Sequence, residues 1–282
     1  MTLPAVPHAT TAAPLAALLP ARRGKAWTVG PAPYGIRNNA ATSRITDGRR
    51  SLIVVEEGNR VELYADRPDL FPVTPDAVAD STDPASVATL AARALRWVLP
   101  GLDADATHAA AHDTAHDDMQ PWQRITHHKG TELAEFGFHL IDHGANPQAI
   151  ERADGPGLAW TADSGAEWGV WAYGCAGNFH LTYEGFVSGL YGALPVLLPP
   201  LGAHTSTDAG SAFTRHLTDR FPQLRPVDAD EVEFGGYQDL HGWIALPSRA
   251  ELGGPVHDGT RVCAKVGPVG IDFLLSASAH LV

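Results

Sequence analysis

Cysteine is nearly missing from this chain. Cys175 and Cys263 are the only two in 282 residues, too few for a disulfide framework or a four-cysteine zinc site. Lysine is almost as scarce: Lys25, Lys129 and Lys265 stand among 20 basic residues, and the rest are arginine. With abundant Ala, Gly and Pro, that skew fits codon bias in a high-GC bacterial genome, so the arginine excess carries no functional weight. No apolar run approaches the ~18–20 residues of a membrane span. The longest candidate, Leu190 to Leu201, is broken by Pro195, Pro199 and Pro200. Near the start, the apolar stretch Pro14–Leu19 is followed, not preceded, by Arg22, Arg23 and Lys25, the reverse of a secretory signal. Positive charge is also in deficit. Twenty basic against 32 acidic residues give a net −12, which argues against a broad phosphate-binding surface despite Arg22-Arg23-Gly24-Lys25 and Arg49-Arg50. A cytoplasmic protein with no membrane or nucleic-acid partner is expected.

Catalytic signatures are missing too. There is no G-x-x-x-x-G-K-[ST] loop and no G-x-G-x-x-G after a strand, so nucleotide binding has no support. In Gly185-Phe186-Val187-Ser188-Gly189 the serine abuts the second glycine, unlike a nucleophile elbow. Cys175 precedes His180 by five residues, and a small buried thiol is the simpler reading.

What is present is a globular composition, 44% apolar and 18% charged. Asp83 as N-cap and Pro84 at the first position open a helix over 84–99. Its face is Val87, Leu90, Ala91, Ala94, Leu95 and Val98, and Pro100-Gly101 is expected to end it. Before it, Leu52–Val55, a Glu-Glu-Gly-Asn turn and Arg60–Tyr64 read as a hairpin onto which the helix packs. In that second strand Arg60 and Glu62 alternate outward with Val61 and Leu63. Asp47-Gly48 marks another turn, and a strand near Ala26–Val29 is expected.

A similar order returns downstream. Trp168–Tyr173 and Phe179–Tyr183 flank Gly177-Asn178, and Ser206-Thr207-Asp208 then opens a helix to about Phe221, much as Ser81-Thr82-Asp83 does earlier. This suggests a duplicated hairpin-then-helix unit. The registers around the two Gly-Asn pairs disagree, however, so two merely similar lobes remain the alternative. Thr131–His143 reads as a helix with Leu133, Phe136, Leu140 and Ile141 on one face. Val262, Ala264 and Val266 opposite Val269, Ile271, Phe273 and Leu275, about a Gly267-Pro268 turn, read as a closing β hairpin. The expected fold class is therefore α+β, with antiparallel sheets, helices packed on one face and two similar lobes. Its parts are a loose segment at 1–24, a first lobe at 25–102, a His/Asp-rich connector at 103–154 and a second lobe at 155–282.

Two features carry candidate chemistry. Seven of the 14 histidines fall between His108 and His143. His108, His112 and His116 repeat every fourth residue, as either a metal-binding ladder or a solvated helix face. His139-Leu140-Ile141-Asp142-His143 is close to an inverted zinc-protease pattern, with Asp in place of Glu one methylene too short for the base. His139 and His143 are thus the metal candidates of a zinc-dependent hydrolase that would need a remote third ligand. The second feature is aromatic. Trp160, Trp168, Trp171, Tyr173, Phe179, Tyr183, Phe186 and Tyr191 fall within 32 residues. Six of them, Trp160, Trp168, Trp171, Tyr173, Tyr183 and Tyr191, are candidates for a binding surface, and core packing is the competing use, with Trp171, Tyr173, Phe179 and Tyr183 sharing an inward face. On balance the expected function is a non-enzymatic adaptor that binds a protein or small-molecule partner without a cofactor. The metal-dependent hydrolase is the alternative.

Overall fold

Leu52, Ile53, Val54 and Val55 are buried without interruption, which requires cover on both faces of the strand that holds them. In the computed structural model that strand is the middle of a sheet. The structure describes residues 8–33, 36–37, 40–67, 73–112, 121–152, 155–173, 178–200, 210–236, 240–248 and 256–282, with the side chains of 107–127 and 173 left aside. The chain divides into two units, Met1–Leu102 and Asp103–Val282.

The first unit is an antiparallel meander in chain order: β1 (Thr28–Pro31), β2 (Ala41–Thr46), β3 (Ser51–Glu57), β4 (Arg60–Ala65) and β5 (Ala77–Ala79). The expected hairpin is β3–β4, closed by Glu57 opposite Arg60. Gly58 takes φ +61°, the left-handed region that glycine enters at little cost. Glu62 does not face solvent as its alternation with Val61 implies. It is 2% exposed and accepts hydrogen bonds from the Tyr64 hydroxyl (2.6 Å), Arg37 (2.7 Å) and Arg60 (2.8 Å). Ile36, next to Arg37 in sequence, and Ala32 pack on Ala40, Ile53, Val55 and Tyr64. That cover turns an amphipathic strand into a buried one.

Residues 8–24 are not loose. Helix α1 (Ala12–Leu18) buries Ala12, Leu15 and Ala16 and lies against β1, β2 and α2 (Pro84–Arg93). The Asp83 cap forms as expected, its carboxylate accepting from Ser86 N–H at 2.9 Å. Helix α2 neighbours α1 and β5. Pro100-Gly101 does not stop the helical path. Ala94–Val98 is a π turn, in which Leu99 N–H reaches back five residues to the Ala94 carbonyl, and α3 (Leu99–His112) follows. A widened turn immediately before proline relieves the crowding that its ring imposes on the preceding turn.

The second unit holds eight antiparallel strands in the order β10-β11-β12-β13-β9-β8-β7-β6. These are β6 (Gln148–Arg152), β7 (Gly155–Thr161), β8 (Glu167–Tyr173), β9 (Asn178–Phe186), β10 (Arg225–Asp228), β11 (Glu231–Phe234), β12 (Gly242–Ala245) and β13 (Arg261–Val269). The two sheets thus differ in strand number and order. The stretch expected as a connector supplies α4 (Pro121–Asp142) and β6 to this unit. Leu133, Phe136 and Leu140 of α4 are buried, whereas Ile141 is 53% exposed and drops out of the expected stripe. Gly144, at φ +99°, ends the helix. The final hairpin is corrected as well. β13 joins the sheet and runs through Gly267-Pro268, but Ile271–Ala277 is a helix, α8. Ile271, Phe273, Leu274 and Leu275 are all buried, and a run buried on every side shows no helical period.

Short helices α5 (Val187–Leu190) and α6 (Leu194–Leu197) follow β9, and α7 (Ala212–Arg220) precedes β10. The cap of α7 is Ser211, which exchanges hydrogen bonds with Thr214. The Ser206–Asp208 triplet expected there lies outside the described residues. No described helix is long and apolar enough to cross a membrane.

Candidate functional site

Side chains alternate between the faces of a strand, so the register of the eight-stranded sheet sorts its residues into two sets. One set is the core face. It includes Trp160 of β7, Trp168 and Val170 of β8, Phe179, Leu181 and Tyr183 of β9, Val262 and Val266 of β13, and Ile244 of β12, all buried. Helices α4 and α8 lie on this side. Phe136 of α4 meets the Trp160 ring edge-on at 5.8 Å, and Trp160 Nε1–H donates to the Leu281 carbonyl at 2.7 Å, just beyond α8. Trp160 stacks with Trp168, which meets Tyr183 at 4.7 Å. Tyr183 donates to the Phe186 carbonyl, and burial pushes its phenol up to about 12. These three sequence candidates hold the core together.

The other set forms the open face. One rung runs across all eight strands: Arg225, Glu233, Trp243, Lys265, Thr182, Gly169, Ala159 and Gln148 are successive cross-strand neighbours. The rung on one side carries Cys263, Glu184, Glu167 and Thr161; the rung on the other carries His180, Trp171, Gly157 and Ile150. These residues, other than Arg225, Glu233, His180 and Gly157, line an open concavity of about 660 Å³, with Arg152 and Asn146 at its β6 side.

The floor is shaped by glycine. A Cβ on Gly157 would meet the Val170 carbonyl oxygen at 2.7 Å and Trp171 Cβ at 3.0 Å. A Cβ on Gly169 would sit 3.1 Å from Thr182 Oγ1 and 3.4 Å from the Trp171 ring. The indole therefore lies low over the sheet, and the Arg152 guanidinium covers it at 4.2 Å from the ring centre. His180 is 7% exposed. Burial, then the positive charges of Lys265 and His241, push its imidazole down to about 4, so it is neutral at pH 7.

Trp160, Trp168 and Tyr183 also border this concavity, but their register puts their side chains on the core face; among the described candidates Trp171 has the parity of the open face. Tyr173 shares the backbone parity of Trp171, but its side chain lies outside the described residues. The expectation that Trp171 and Tyr173 share an inward face with Phe179 and Tyr183 fails on register, because Trp171 pairs with His180 and Ala172 with Phe179. Tyr191 follows α5, away from the sheet strands. Its hydroxyl donates to Asp258 at 2.8 Å and lies 2.8 Å from His216 Nε2. Arg220 stacks on its ring at 3.7 Å. Burial, then the Asp258 carboxylate, pushes this phenol up to about 12. It ties α7 to the turn at 258.

His139 sits in the last turn of α4 and His143 one residue past its end, where His143 N–H donates to the His139 carbonyl. Among the described residues no three His, Cys, Asp or Glu side chains are placed to hold a metal ion. The side chains of His108, His112 and His116 lie outside the described residues, as does Cys175.

Trp243, Lys265, Arg152, Glu167 and Glu184 escaped the sequence reading. Their signal is glycine: Gly155, Gly157, Gly169 and Gly242 punctuate strands that flank the concavity, and an interior strand glycine often marks close approach by another group. Together these features define an α+β protein of two units whose second sheet has one covered and one open, concave face. Compared with family models, curated proteins and solved structures, the chain finds no match.

Proposed function

We propose that the protein is a non-enzymatic binding module that takes a small polar ligand on the open face of its eight-stranded sheet. The observation that carries this reading is the concavity of about 660 Å³. It lies in the common size range of small-molecule sites and joins indole surface to a few convergent polar groups. Trp243 supplies flat apolar area at low entropic cost, and Trp171 adds indole surface beneath the Arg152 guanidinium; Thr182, Gln148, Lys265 and Glu184 supply donors and acceptors. The small residues Gly169 and Ala159 leave room between them. Burying three candidate aromatics in the core supports the same division of labour, with one face holding the fold and the other free to bind.

The test is a thermal-shift panel of sugars, amino acids and peptides, nucleotides and organic acids, run on the full chain and on Ala159→Tyr. Ala159 is only half-buried and points to the open side, so a phenol there fills the groove without entering the core. A ligand of this face raises the midpoint of the native chain and not that of the variant. Equal shifts in both, or none in any class, would contradict the reading.

A further inference from the structure

Lys265 and Glu184 occupy diagonal positions on neighbouring strands: Lys265 faces Thr182, and Glu184 faces Cys263 one rung away. Backbones in that relation lie about 7–8 Å apart, within reach of an ammonium and a carboxylate. They do not pair. Glu184 accepts from Arg261 at 3.3 Å, while the ammonium of half-buried Lys265 makes no hydrogen bond or ion pair with any described residue. The acid on the Lys265 rung is Glu233, two strands away beyond Trp243, and it is held by Arg225; the rung's nearer members are Trp243, Thr182, Gly169, Ala159 and Gln148.

A second feature stands beside it. Glu167 and Glu184 face each other directly across β8 and β9. Like charges in that position destabilise a sheet, and Glu167 has no ion pair among the described residues. The groove thus holds the Lys265 ammonium on one rung and two facing carboxylates on the next, of which Glu184 is already met by Arg261 and Glu167 is not. Trp243 is next to the cation, and the low floor of Gly169 and Ala159 runs toward Trp171.

Resting on the binding reading above, we infer that the ligand is a small zwitterion of the amino-acid or short-peptide class. Its carboxylate would meet Lys265, its ammonium would meet Glu167 and Glu184, and an apolar side chain would lie over the small-residue floor toward the indoles. A simple anion would have to approach two carboxylates on a chain of net charge −12. A simple cation would leave Lys265 unmatched. One molecule with both charges satisfies both rungs.

Isothermal titration of the full chain tests this with four probes. They are L-alanyl-L-phenylalanine, its N-acetyl form (an anion), its C-terminal amide (a cation) and maltose (neutral and polyhydroxylated). The expected result is saturable binding of the free dipeptide, weakened about tenfold or more by capping either end. Lys265→Gln should weaken the dipeptide and erase its advantage over the amide. Glu167→Gln should erase its advantage over the N-acetyl form. Melting curves of both variants establish that they are folded. Equal or tighter binding of a capped form, or no binding of the dipeptide, would overturn the inference. If maltose alone binds, and Ala159→Tyr abolishes it, the groove is a binding site and the zwitterion is wrong. If the dipeptide binds Ala159→Tyr undiminished, both readings fall.

Discussion

Trp243 and Lys265 are direct cross-strand partners on the open face of the eight-stranded sheet, one offering a flat indole and the other an ammonium without a described ion-pair partner. Neither is needed to close the core, which lies on the opposite face of the same strands. Trp243→Ala should therefore leave the melting midpoint within a few degrees of the native chain, because truncating an exposed-face residue removes little buried area. Trp160→Ala is its control and should cost about 3–5 kcal/mol by chemical denaturation, since it empties a buried site and removes an indole hydrogen bond. Similar losses for the two would mean that the faces are wrongly assigned.

His180 gives the sheet a pH dependence with a definite sign. Its folded pKa, about 4, lies below the ordinary 6.5, so the unfolded chain binds the extra proton first. The contribution of neutral His180 is complete above about pH 6.5, and stability falls progressively as pH drops toward 4. The loss amounts to no more than about 3.5 kcal/mol at roughly 1.4 kcal/mol per pKa unit. His180→Gln should flatten that limb of the stability curve, measured by denaturant midpoints across pH 4–7. An unchanged limb would place the titration elsewhere.

The first sheet carries a separate test. For Glu62, burial raises the carboxyl pKa, but hydrogen bonds from Tyr64 and Arg60 and the charges of Arg37 and Arg60 outweigh it and hold the group below its ordinary value. A depressed carboxyl contributes stability above its unfolded pKa and loses it as pH falls through the folded value. Glu62→Ala should cost about 1–3 kcal/mol, largely by leaving the Tyr64 hydroxyl buried without its acceptor. Tyr64→Phe in the same background should recover part of that loss. A double variant no more stable than Glu62→Ala would show that the hydroxyl is not what suffers.

Helix α2 was the most legible element in the sequence, and Leu90 is its most stringent probe. It is fully buried, so Leu90→Asp should cost several kcal/mol and abolish a cooperative melt of the first unit. A normal melt would contradict the packing of α2.

Legibility followed local chemistry. The Asp83 cap, the Gly58-Asn59 turn and the β3–β4 hairpin depend on residues a few positions apart, and they formed where the pattern put them. The failures needed distant partners. Alternation alone turns Glu62 to solvent, because Arg37, 25 positions away, and the packing of Ile36 beside it are invisible to a local pattern. The alternation of Ile271, Phe273 and Leu275 imitates a strand, but the residues between them in α8 include buried ones too. Aromatic density points to the eight-stranded sheet, but Trp160, Trp168 and Tyr183 take its core face. Which face a strand residue takes depends on register, and the β8–β9 pairing set Trp171 against His180 instead of Phe179. Lys265 and Trp243 are far from the aromatic cluster in sequence and meet it only through β13, which enters the sheet between β9 and β12.

The most direct measurement is fluorine NMR of the full chain labelled with 5-fluorotryptophan, its seven tryptophans assigned by single Trp→Phe variants. Any compound that raises the melting midpoint of the native chain but not of Ala159→Tyr is then titrated in. If the open face is the binding face, the Trp171 and Trp243 resonances move with saturation while those of Trp160 and Trp168, on the opposite face, stay in place. Movement of Trp160 and Trp168 with Trp171 and Trp243 unmoved would contradict it.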